Sequence, residues 1–212
     1  MNRFRTMVVM TGVALAAVVS LNAQAPAARP LSAVGTASTE VGGKWVKTEK
    51  TNSYDGGKWI DITYGRPRLR YRANIFGSGA DYGKAILAGA PIWRAGANVS
   101  TRLKTEVAMM IGGKQVPPGE YSLFIEAKEG NWTLVVSSWA AQQKYDPANK
   151  AALWGAYGYT PDKDVARAPM TLSTLPNTVE ELTWNFADMT DKGGKMAISW
   201  EKSMATVAFT TM

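Results

Sequence analysis

The sequence predicts an all-β fold, an antiparallel β-sandwich or open barrel with at most one or two short helices. Three observations predict it. From Lys44 onward the hydrophobic residues recur with a period of two, these residues are largely β-branched or aromatic, and turn-forming Gly and Pro residues separate the segments. No strand-like segment alternates with a long helical one, which excludes a doubly wound α/β fold.

Seven strand-like segments carry hydrophobic residues at alternating positions, and we expect these residues to form the buried face of the sheet. In chain order they are Ile60, Ile62 and Tyr64; Leu103, Thr105, Val107, Met109 and Ile111; Tyr121, Leu123 and Ile125; Trp132, Leu134 and Val136; Leu182, Trp184 and Phe186; Met196, Ile198 and Trp200; and Ala205, Val207 and Phe209. The last three segments predict a three-stranded meander with turns at residues 191–194 and 202–203. Only residues 140–154 have a helical composition, which Pro147 interrupts.

Four Gly-Gly-Lys triplets predict turns. They lie at residues 42–44, 56–58, 112–114 and 193–195, and each is flanked by a strand-like segment. We expect hairpin turns in which Gly adopts positive φ. A phosphate-binding loop is excluded, because the Lys of the 112–114 triplet is followed by Gln and a strand rather than by Ser or Thr and a helix.

The N-terminus has the layout of a secretory signal peptide. Arg3 and Arg5 precede an uncharged, largely apolar segment at residues 7–21, and small residues follow it. We predict cleavage after Ala23, with Ala27 as the second choice. The apolar segment is shorter than the roughly 20 residues that span a bilayer, so an uncleaved membrane anchor is the disfavoured alternative.

The chain is therefore divided into three parts. Residues 1–23 are predicted to be the signal peptide, residues 24–43 a flexible leader rich in small and polar residues, and residues 44–212 a single β-rich domain. This organisation predicts a protein that is exported by its signal peptide, periplasmic or secreted, with no transmembrane span in the mature chain.

The charge of the chain is basic without a nucleic-acid pattern. Loss of Arg3 and Arg5 with the signal peptide lowers the formal net charge from +7 to +5. The remaining basic residues are scattered, so we expect no nucleic-acid partner. The densest cluster has a period of two, which on a strand would place all four side chains on one face: Arg66, Arg68, Arg70 and Arg72.

The chain contains neither His nor Cys, and this composition excludes several kinds of chemistry. It excludes a Ser-His-Asp triad, a thiolate nucleophile, a disulfide, and metal sites with His or Cys ligands. We predict no cofactor and no metal site, and we identify no catalytic residue. Close carboxylate pairs such as Asp162 and Asp164 are assigned structural or surface roles.

Basic and amide residues within apolar, Gly-rich sequence are the candidate binding residues. Arg66 directly follows a strand-like segment, and Trp93, Arg94 and Asn98 lie between two such segments. We predict that Arg66, Arg94 and Asn98, with Trp93 beside them, meet at one concave end and bind an anionic or hydroxyl-rich ligand. The alternative is structural, with Arg94 paired to a carboxylate or to loop carbonyls.

Eight Trp residues are many for a domain of this size. Trp132, Trp184 and Trp200 fall on the predicted buried face and are assigned to core packing. The positions of Trp59 and Trp139 leave open whether they are buried or exposed as platforms for sugar rings.

Several spaced motifs occur in order along the chain: Ile62-Thr63-Tyr64-Gly65-Arg66-Pro67, Ile75-Phe76-Gly77, Tyr82-Gly83, Trp93-Arg94-Ala95-Gly96-Ala97-Asn98, Pro118-Gly119-Glu120-Tyr121-Ser122-Leu123-Phe124, Trp132-Thr133-Leu134-Val135 and Trp154-Gly155-Ala156-Tyr157. Over about residues 58–210 the chain resembles the bacterial family of unknown function DUF2911. The resemblance implies an exported, β-rich single domain and no particular activity. This chain departs from the family in having Gly65 where Ser is frequent and Val99 where Glu is frequent, so a mechanism that needs that hydroxyl or carboxylate is not expected here.

The sequence favours an exported, noncatalytic protein that binds a ligand or an envelope component; the ligand would be a small molecule, a glycan or a peptide. Two alternatives remain open: a periplasmic hydrolase that uses carboxylates or an activated Ser or Thr, and a purely structural envelope protein. A binding protein predicts a pocket or aromatic patch that contains Arg94 without two facing carboxylates. A structural protein predicts that internal partners engage Arg94 fully. The oligomeric state is not predicted.

Overall fold

The computed structural model describes residues 30–212, so the predicted signal peptide and its cleavage sites lie outside the described residues. Within this range the chain forms one short α-helix, α1 (Lys84–Leu87), two 3₁₀ turns (Gly79–Asp81 and Pro161–Lys163) and thirteen strands: β1 Val34–Val41, β2 Lys44–Lys47, β3 Asn52–Asp55, β4 Lys58–Gly65, β5 Thr101–Thr105, β6 Met109–Ile111, β7 Lys114–Val116, β8 Gly119–Lys128, β9 Asn131–Ser137, β10 Ala140–Ala141, β11 Ala152–Leu153, β12 Asp164–Thr190 and β13 Gly193–Thr211. No helix in this part of the chain has the length and apolar character that a bilayer crossing requires. The predicted all-β fold class is confirmed.

Nine of these strands form one antiparallel sheet in the order β1-β4-β5-β8-β9-β12-β13-β6-β7. The sheet folds over at β12, because residues 164–170 of this long strand pair with β9, whereas its later residues pair with β13. The segment that follows β4 also hydrogen-bonds to β12, through residues 67–69 and residues 180–182. Two halves of one sheet therefore face each other, and the contact between β12 and the segment that follows β4 partly closes the sandwich.

The main core lies between these two halves, where the predicted alternation places its hydrophobic residues. Ile60 and Leu103 from one half, Trp184 and Trp200 from the other, and Trp132 of β9 are each at most 4% exposed. Their burial removes large apolar surfaces from water, which stabilises the fold by roughly 25 cal/mol per Å². The assignment of these three Trp residues to the core is confirmed.

Three of the four Gly-Gly-Lys triplets lie at turns, as predicted, and connect β1 to β2, β3 to β4 and β6 to β7. The fourth, at residues 193–195, begins β13 directly after the turn at residues 191–192. Gly42, Gly56 and Gly112 have φ values of 71°, 74° and 56°, and Gly193 has a φ of 132°. These are backbone conformations in which a Cβ would be strained, so the glycines are required by the turns themselves.

The predicted meander at the C-terminus is wrong in one respect. β13 runs through residues 202–203 without a break, so this region contains a two-stranded hairpin rather than three strands. Glu201 has a φ of 54°, and the pairing of β13 with β12 shifts register on either side of it. An irregularity of the β-bulge type therefore bends one strand where a turn was expected.

Three other segments differ from their predicted conformation. Residues 103–111, predicted as one strand, belong to two strands, β5 and β6, which are not neighbours in the sheet. Residues 140–154 contain no helix: β10 and β11 pair there in parallel, and the rest is turns and bends. Val34–Val41, placed in the flexible leader by the sequence, instead form β1 and pair with β4 along its whole length. β1 consists mostly of small and polar residues, so its sequence shows little alternation of hydrophobic residues. Its strand conformation is determined by the pairing with β4.

The outer face of the sheet is covered as well, by the segment from Trp139 to Tyr159. Phe124 of β8 and Val135 of β9 are fully buried in a second cluster with Leu153. The Tyr159 ring packs on Phe124 with ring centroids 5.0 Å apart. This second cluster holds the covering segment in place on the sheet.

A charged network joins the same segment to β8 and β12. Arg167 pairs with Asp164 at 2.8 Å and also with Glu126, which in turn pairs with Lys128 at 2.6 Å. The hydrogen bond from Lys128, with the positive charges of Lys128 and Arg167, lowers the pKa of Glu126 against the opposing effect of desolvation. The Tyr159 hydroxyl donates to Asp164 at 2.8 Å, and burial together with this hydrogen bond raises the pKa of Tyr159.

We expect Glu126→Gln to lower stability in a pH-dependent way. A carboxylate whose pKa is lower in the folded state stabilises the protein above its unfolded pKa, and this contribution is lost as the pH falls through the folded value. The loss should be below about 1 kcal/mol at pH 7, because the network is partly exposed. Urea unfolding from pH 7 into strong acid should show the difference from the unmodified protein shrinking below the ordinary pKa of 4.5.

The matched control for this prediction is Asp162→Asn. Asp162 is exposed and forms no ion pair within residues 30–212, so its substitution should leave the urea midpoint nearly unchanged at both pH extremes. A difference between Glu126→Gln and the unmodified protein that is equally large at pH 7 and in strong acid would contradict the electrostatic explanation.

Candidate functional site

The candidate site is built on the loop that precedes β5, and core residues determine the path of that loop. Trp93 N donates to Ile125 O at 3.2 Å, and Ile125 N donates to Trp93 O at 2.9 Å. These two hydrogen bonds hold the start of the loop against β8. Ala95 has a φ of 49°. Its carbonyl accepts hydrogen bonds from Trp184 Nε1 at 2.9 Å and from Thr101 Oγ1 at 3.1 Å.

The same loop passes directly over the end of β4. A Cβ on Gly65 would lie 2.8 Å from the carbonyl carbon of Ala97 and still closer to its oxygen. A residue without a side chain is therefore needed for this close approach of two backbone segments. Further along the loop, Ser100 Oγ donates to the Gly155 carbonyl. The end of β4, the loop and the segment around Gly155 thus meet at one end of the sandwich.

Arg94 lies where these segments meet. Its Nη1 donates to Asn98 O at 3.0 Å, and its guanidinium carbon lies 5.4 Å from the centroid of the Tyr157 ring, within the range of a cation–π contact. Within residues 30–212 Arg94 forms this one hydrogen bond and no ion pair. Most of its N–H donors therefore remain available to a ligand.

Arg94 and Asn98 lie on the wall of a cavity of about 220 Å³, here called the Arg94 pocket. Trp93 and Trp200 form part of its apolar wall, and Arg72 adds a second cation, with its guanidinium carbon 6.0 Å from the Trp200 ring. No carboxylate lines this pocket within the described residues. The lining residues are Pro67, Arg72, Ile75, Ala85, Ile86, Ala88, Trp93, Arg94, Gly96, Ala97, Asn98 and Trp200.

Arg66 lines a different cavity of about 600 Å³, here called the arginine groove, with Arg68, Arg70, Glu180 and Glu181. Arg66 Nη2 pairs with Glu181 Oε2 at 2.6 Å, and Arg68 Nε pairs with the other oxygen of the same carboxylate at 2.5 Å. Glu180 accepts a hydrogen bond from the backbone of Arg70 at 3.0 Å. The positive charge of this groove is therefore largely compensated by its own carboxylates.

The structure thus brings three of the four predicted site residues to one pocket. Trp93, Arg94 and Asn98 line the Arg94 pocket, while Arg66 lines the arginine groove. Trp93 is 1% exposed, so it contributes a wall rather than a freely accessible ring. Arg94 and Asn98 are the predicted residues that a ligand could reach.

Arg72 is a site residue that the sequence did not single out. The period-two pattern of the arginines would place Arg72 beside Arg70 on one face of a strand. Instead Arg70 and Tyr71 have φ values of 50° and 64°, and the chain turns at this point. This turn sends Arg72 to the Arg94 pocket, where its Nε donates to Leu69 O at 2.9 Å and its Nη2 to Arg68 O at 2.6 Å.

A third cavity, of about 690 Å³ and here called the aromatic groove, lies on the covering segment. Tyr157 lines this groove and also contacts Arg94, so the groove and the Arg94 pocket are neighbours. Trp139, whose exposure the sequence left open, is half-buried on its wall, whereas Trp59 is 46% exposed away from both cavities. The lining residues are Trp139, Gln142, Tyr145, Asp146, Pro147, Asn149, Lys150, Ala152, Leu153, Trp154, Tyr157 and Gly158.

The carboxylates of residues 30–212 form no metal-binding cluster and do not line the Arg94 pocket. No group of three or more acidic side chains in this range comes together in a way that could hold a metal ion. The two carboxylates that line the arginine groove, Glu180 and Glu181, bind neighbouring arginine side chains or backbone. The chemistry available at the Arg94 pocket is therefore recognition of a negative charge or a hydroxyl group by fixed donors.

A comparison with models of protein families matches residues 47–209 to the family described as "Protein of unknown function (DUF2911)". The matched range covers most of the chain and confirms the resemblance that the motifs indicate. No curated protein and no solved structure matches the chain.

Proposed function

This chain belongs to the DUF2911 family, and we propose that it is a noncatalytic binding protein that holds a small organic anion in the Arg94 pocket. One observation carries the proposal: Arg94 retains available donors on the wall of a pocket that no carboxylate lines. A ligand carboxylate is the natural partner of such a guanidinium, because the planar fork of N–H groups matches its two oxygens.

The shape and charge of the Arg94 pocket support this ligand class. Trp93 and Trp200 offer an apolar wall for the body of the ligand, and Arg72 adds a second positive charge. Asn98 is exposed and supplies an amide to the same space. The volume of about 220 Å³ lies below the roughly 300–1,000 Å³ of cavities for drug-sized ligands, so the pocket suits a small acid.

The state of the two carboxylates of the arginine groove supports binding rather than hydrolysis. A glycosidase needs two carboxyl groups directed at the substrate across a cleft. Glu181 forms ion pairs with Arg66 and Arg68, and Glu180 accepts a hydrogen bond from the backbone of Arg70. Both carboxylates therefore make structural contacts.

We also propose that the protein acts outside the cytoplasm, in the periplasm or as a secreted protein. The support is the basic, apolar and small-residue order of residues 3–23. N-terminal sequencing of the protein from its native cells checks this part of the proposal, and a mature chain that still begins at Met1 would contradict it.

The ligand class is tested with pairs of acids and their amides, benzoate against benzamide and butyrate against butyramide. We expect the acids to raise the melting temperature and to bind in calorimetry, and the amides to do neither at the same concentration. Arg94→Gln should reduce acid affinity roughly 10- to 100-fold, the range for loss of a charged hydrogen bond. Arg70→Gln is the matched control, because it removes an exposed arginine from the arginine groove, and it should bind the acids unchanged.

Several outcomes would overturn the proposal. They are equal binding of acid and amide, unchanged acid binding by Arg94→Gln, and no response of the unmodified protein to either acid. If Arg94→Gln does not fold, Arg94→Lys keeps the charge without the planar fork and should show an intermediate loss of affinity. If Arg94→Gln does not fold and the unmodified protein responds to neither acid, the structural alternative is supported instead, in which Arg94 only holds the loop in place.

A further inference from the structure

We propose that the aromatic groove is a second binding site, and that its ligand is an oligosaccharide. This site is distinct from the Arg94 pocket, and the proposal stands whether or not that pocket binds an acid. Tyr145, Trp154 and Tyr157 line the groove together with Trp139. Such a set of rings suits sugars, because the C–H bonds of a pyranose face pack against the electron-rich face of an aromatic ring.

The rings are held by contacts that leave them on the wall of the groove. Trp139 Nε1 donates to Thr160 O at 3.1 Å, and the Tyr157 hydroxyl donates to Ala88 O at 2.8 Å. The rings of Tyr145 and Trp154 pack edge to face with centroids 5.7 Å apart. Tyr145 is nevertheless 59% exposed and Tyr157 45% exposed. The two tyrosines thus present accessible aromatic surface within one groove, and exposed apolar patches of this kind mark binding sites.

A buried amide fixes the backbone of the groove in advance of any ligand. Gln142 is 6% exposed, and three carbonyl oxygens, those of Asp146, Asn149 and Ala152, lie within hydrogen-bond distance of its Nε2, at 3.1, 2.9 and 2.9 Å. Its Oε1 accepts from Asp146 N at 2.8 Å. One side chain thus holds the turns that carry Tyr145 and the polar wall. Preorganisation of this kind lowers the entropy cost of binding.

The polar groups of the groove match hydroxyl-rich ligands better than cationic ones. Asp146 and Asn149 offer acceptors and donors, and Lys150 offers a further donor on the same wall. Cations already occupy two of the rings: Lys163 Nζ lies 3.6 Å from the centroid of Trp139, and Arg94 lies over Tyr157. These charges oppose a quaternary ammonium ligand, which would otherwise suit an aromatic cage.

The size of the groove favours a chain of sugars over a single ring. Its volume of about 690 Å³ is three times that of the Arg94 pocket and falls in the range of drug-sized ligand sites. Tyr145 and Tyr157 both keep exposed surface on its walls, so the groove offers more than one aromatic ring to a chain of sugars. We therefore expect hexasaccharides to bind more tightly than the corresponding monosaccharides.

The experiment uses cellohexaose, maltohexaose and chitohexaose, with glucose and choline as comparison probes, in calorimetry and intrinsic Trp fluorescence. We expect at least one hexasaccharide to bind, glucose to bind more weakly and choline not to bind. Tyr145→Ala and Trp154→Ala should each weaken hexasaccharide binding about three- to tenfold, in line with the 0.5–1.5 kcal/mol of an aromatic contact.

Trp45→Ala is the matched control for these variants. Trp45 is the most exposed Trp of residues 30–212, at 75%, and lies on the separate β2–β3 hairpin, so a general effect of exposed rings would appear there too. Tyr145→Phe serves as a second variant and should retain binding, because it keeps the ring. The proposal is overturned if no hexasaccharide binds, if Tyr145→Ala binds as well as the unmodified protein, if Trp45→Ala loses affinity equally, or if choline binds in preference to the sugars.

Discussion

Gly65→Ala should destabilise the protein by about 3 kcal/mol, the upper end of the usual cost of overpacking. The added methyl group would lie 2.8 Å from the carbonyl carbon of Ala97 and closer still to its oxygen. Both partners are backbone, and the path of the loop at Ala97 is fixed by the hydrogen bonds that Ala95 O accepts. The clash can be relieved only by moving the loop. Urea unfolding at neutral pH measures the loss.

Gly57→Ala is the matched control. A Cβ there would also come too close, at 2.5 Å from Cγ and Cδ of Glu40, but these atoms belong to a flexible, partly exposed side chain that can rotate away. We expect its cost to stay within about 0.5 kcal/mol. Equal losses of stability for Gly57→Ala and Gly65→Ala, or no loss for Gly65→Ala, would contradict the prediction, because the loop over β4 would then move at little cost in free energy.

The same contact links the residue at position 65 to the path of the loop. A larger side chain, such as that of Ser, cannot fit beneath Ala97 as the loop runs here. Any side chain at this position therefore needs a different path for the loop that carries Arg94. Gly65→Ala should accordingly weaken benzoate binding in the Arg94 pocket as well as stability.

The sequence predicted the main core well because the alternation of residues is a local property. Leu182, Trp184, Met196 and Ile198 are buried where a period of two places them. The segment that covers the outer face of the sheet was not predicted, although the sequence around Phe124 contains a signal for it. Strands with hydrophobic residues in direct succession, such as Leu123-Phe124-Ile125 and Leu134-Val135-Val136, are typical of sheets buried on both faces.

The candidate site could be predicted only in part, because it depends on backbone turns. Arg94 and Asn98 lie four residues apart in one loop, and their proximity follows from the chain itself. Arg66 was expected beside Arg94 but lies in the arginine groove, and Arg72 lies in the Arg94 pocket instead. The reason is the turn at Arg70 and Tyr71, which no Gly or Pro residue marks in the sequence. The aromatic groove was not predicted for a related reason. Residues 140–154 have the composition of a helix, but they form a loop whose backbone the side chain of Gln142 binds.

Trp184→Ala should have the largest effect of all, a loss of about 3–5 kcal/mol in the free energy of unfolding. Trp184 is 2% exposed among the core residues of β12 and β13, and Ala would leave a cavity the size of an indole. The variant would also remove the Nε1 donor that binds Ala95 O at 2.9 Å. Trp59→Ala is the comparison, because Trp59 is 46% exposed and its loss should cost within about 0.5 kcal/mol.

Trp184→Phe separates packing from the hydrogen bond and keeps the prediction testable if Trp184→Ala does not fold. Phe fills most of the space, and Thr101 Oγ1 still donates to Ala95 O, so the stability loss should be less than half of that for Ala. The loop at Ala95 loses its tie to the second half of the sheet, however, and acid binding by the Arg94 pocket should weaken more than stability alone would explain. A Trp184→Phe variant with full acid affinity would show that Thr101 alone positions the loop, and a Trp184→Ala variant no less stable than Trp59→Ala would contradict the core described here.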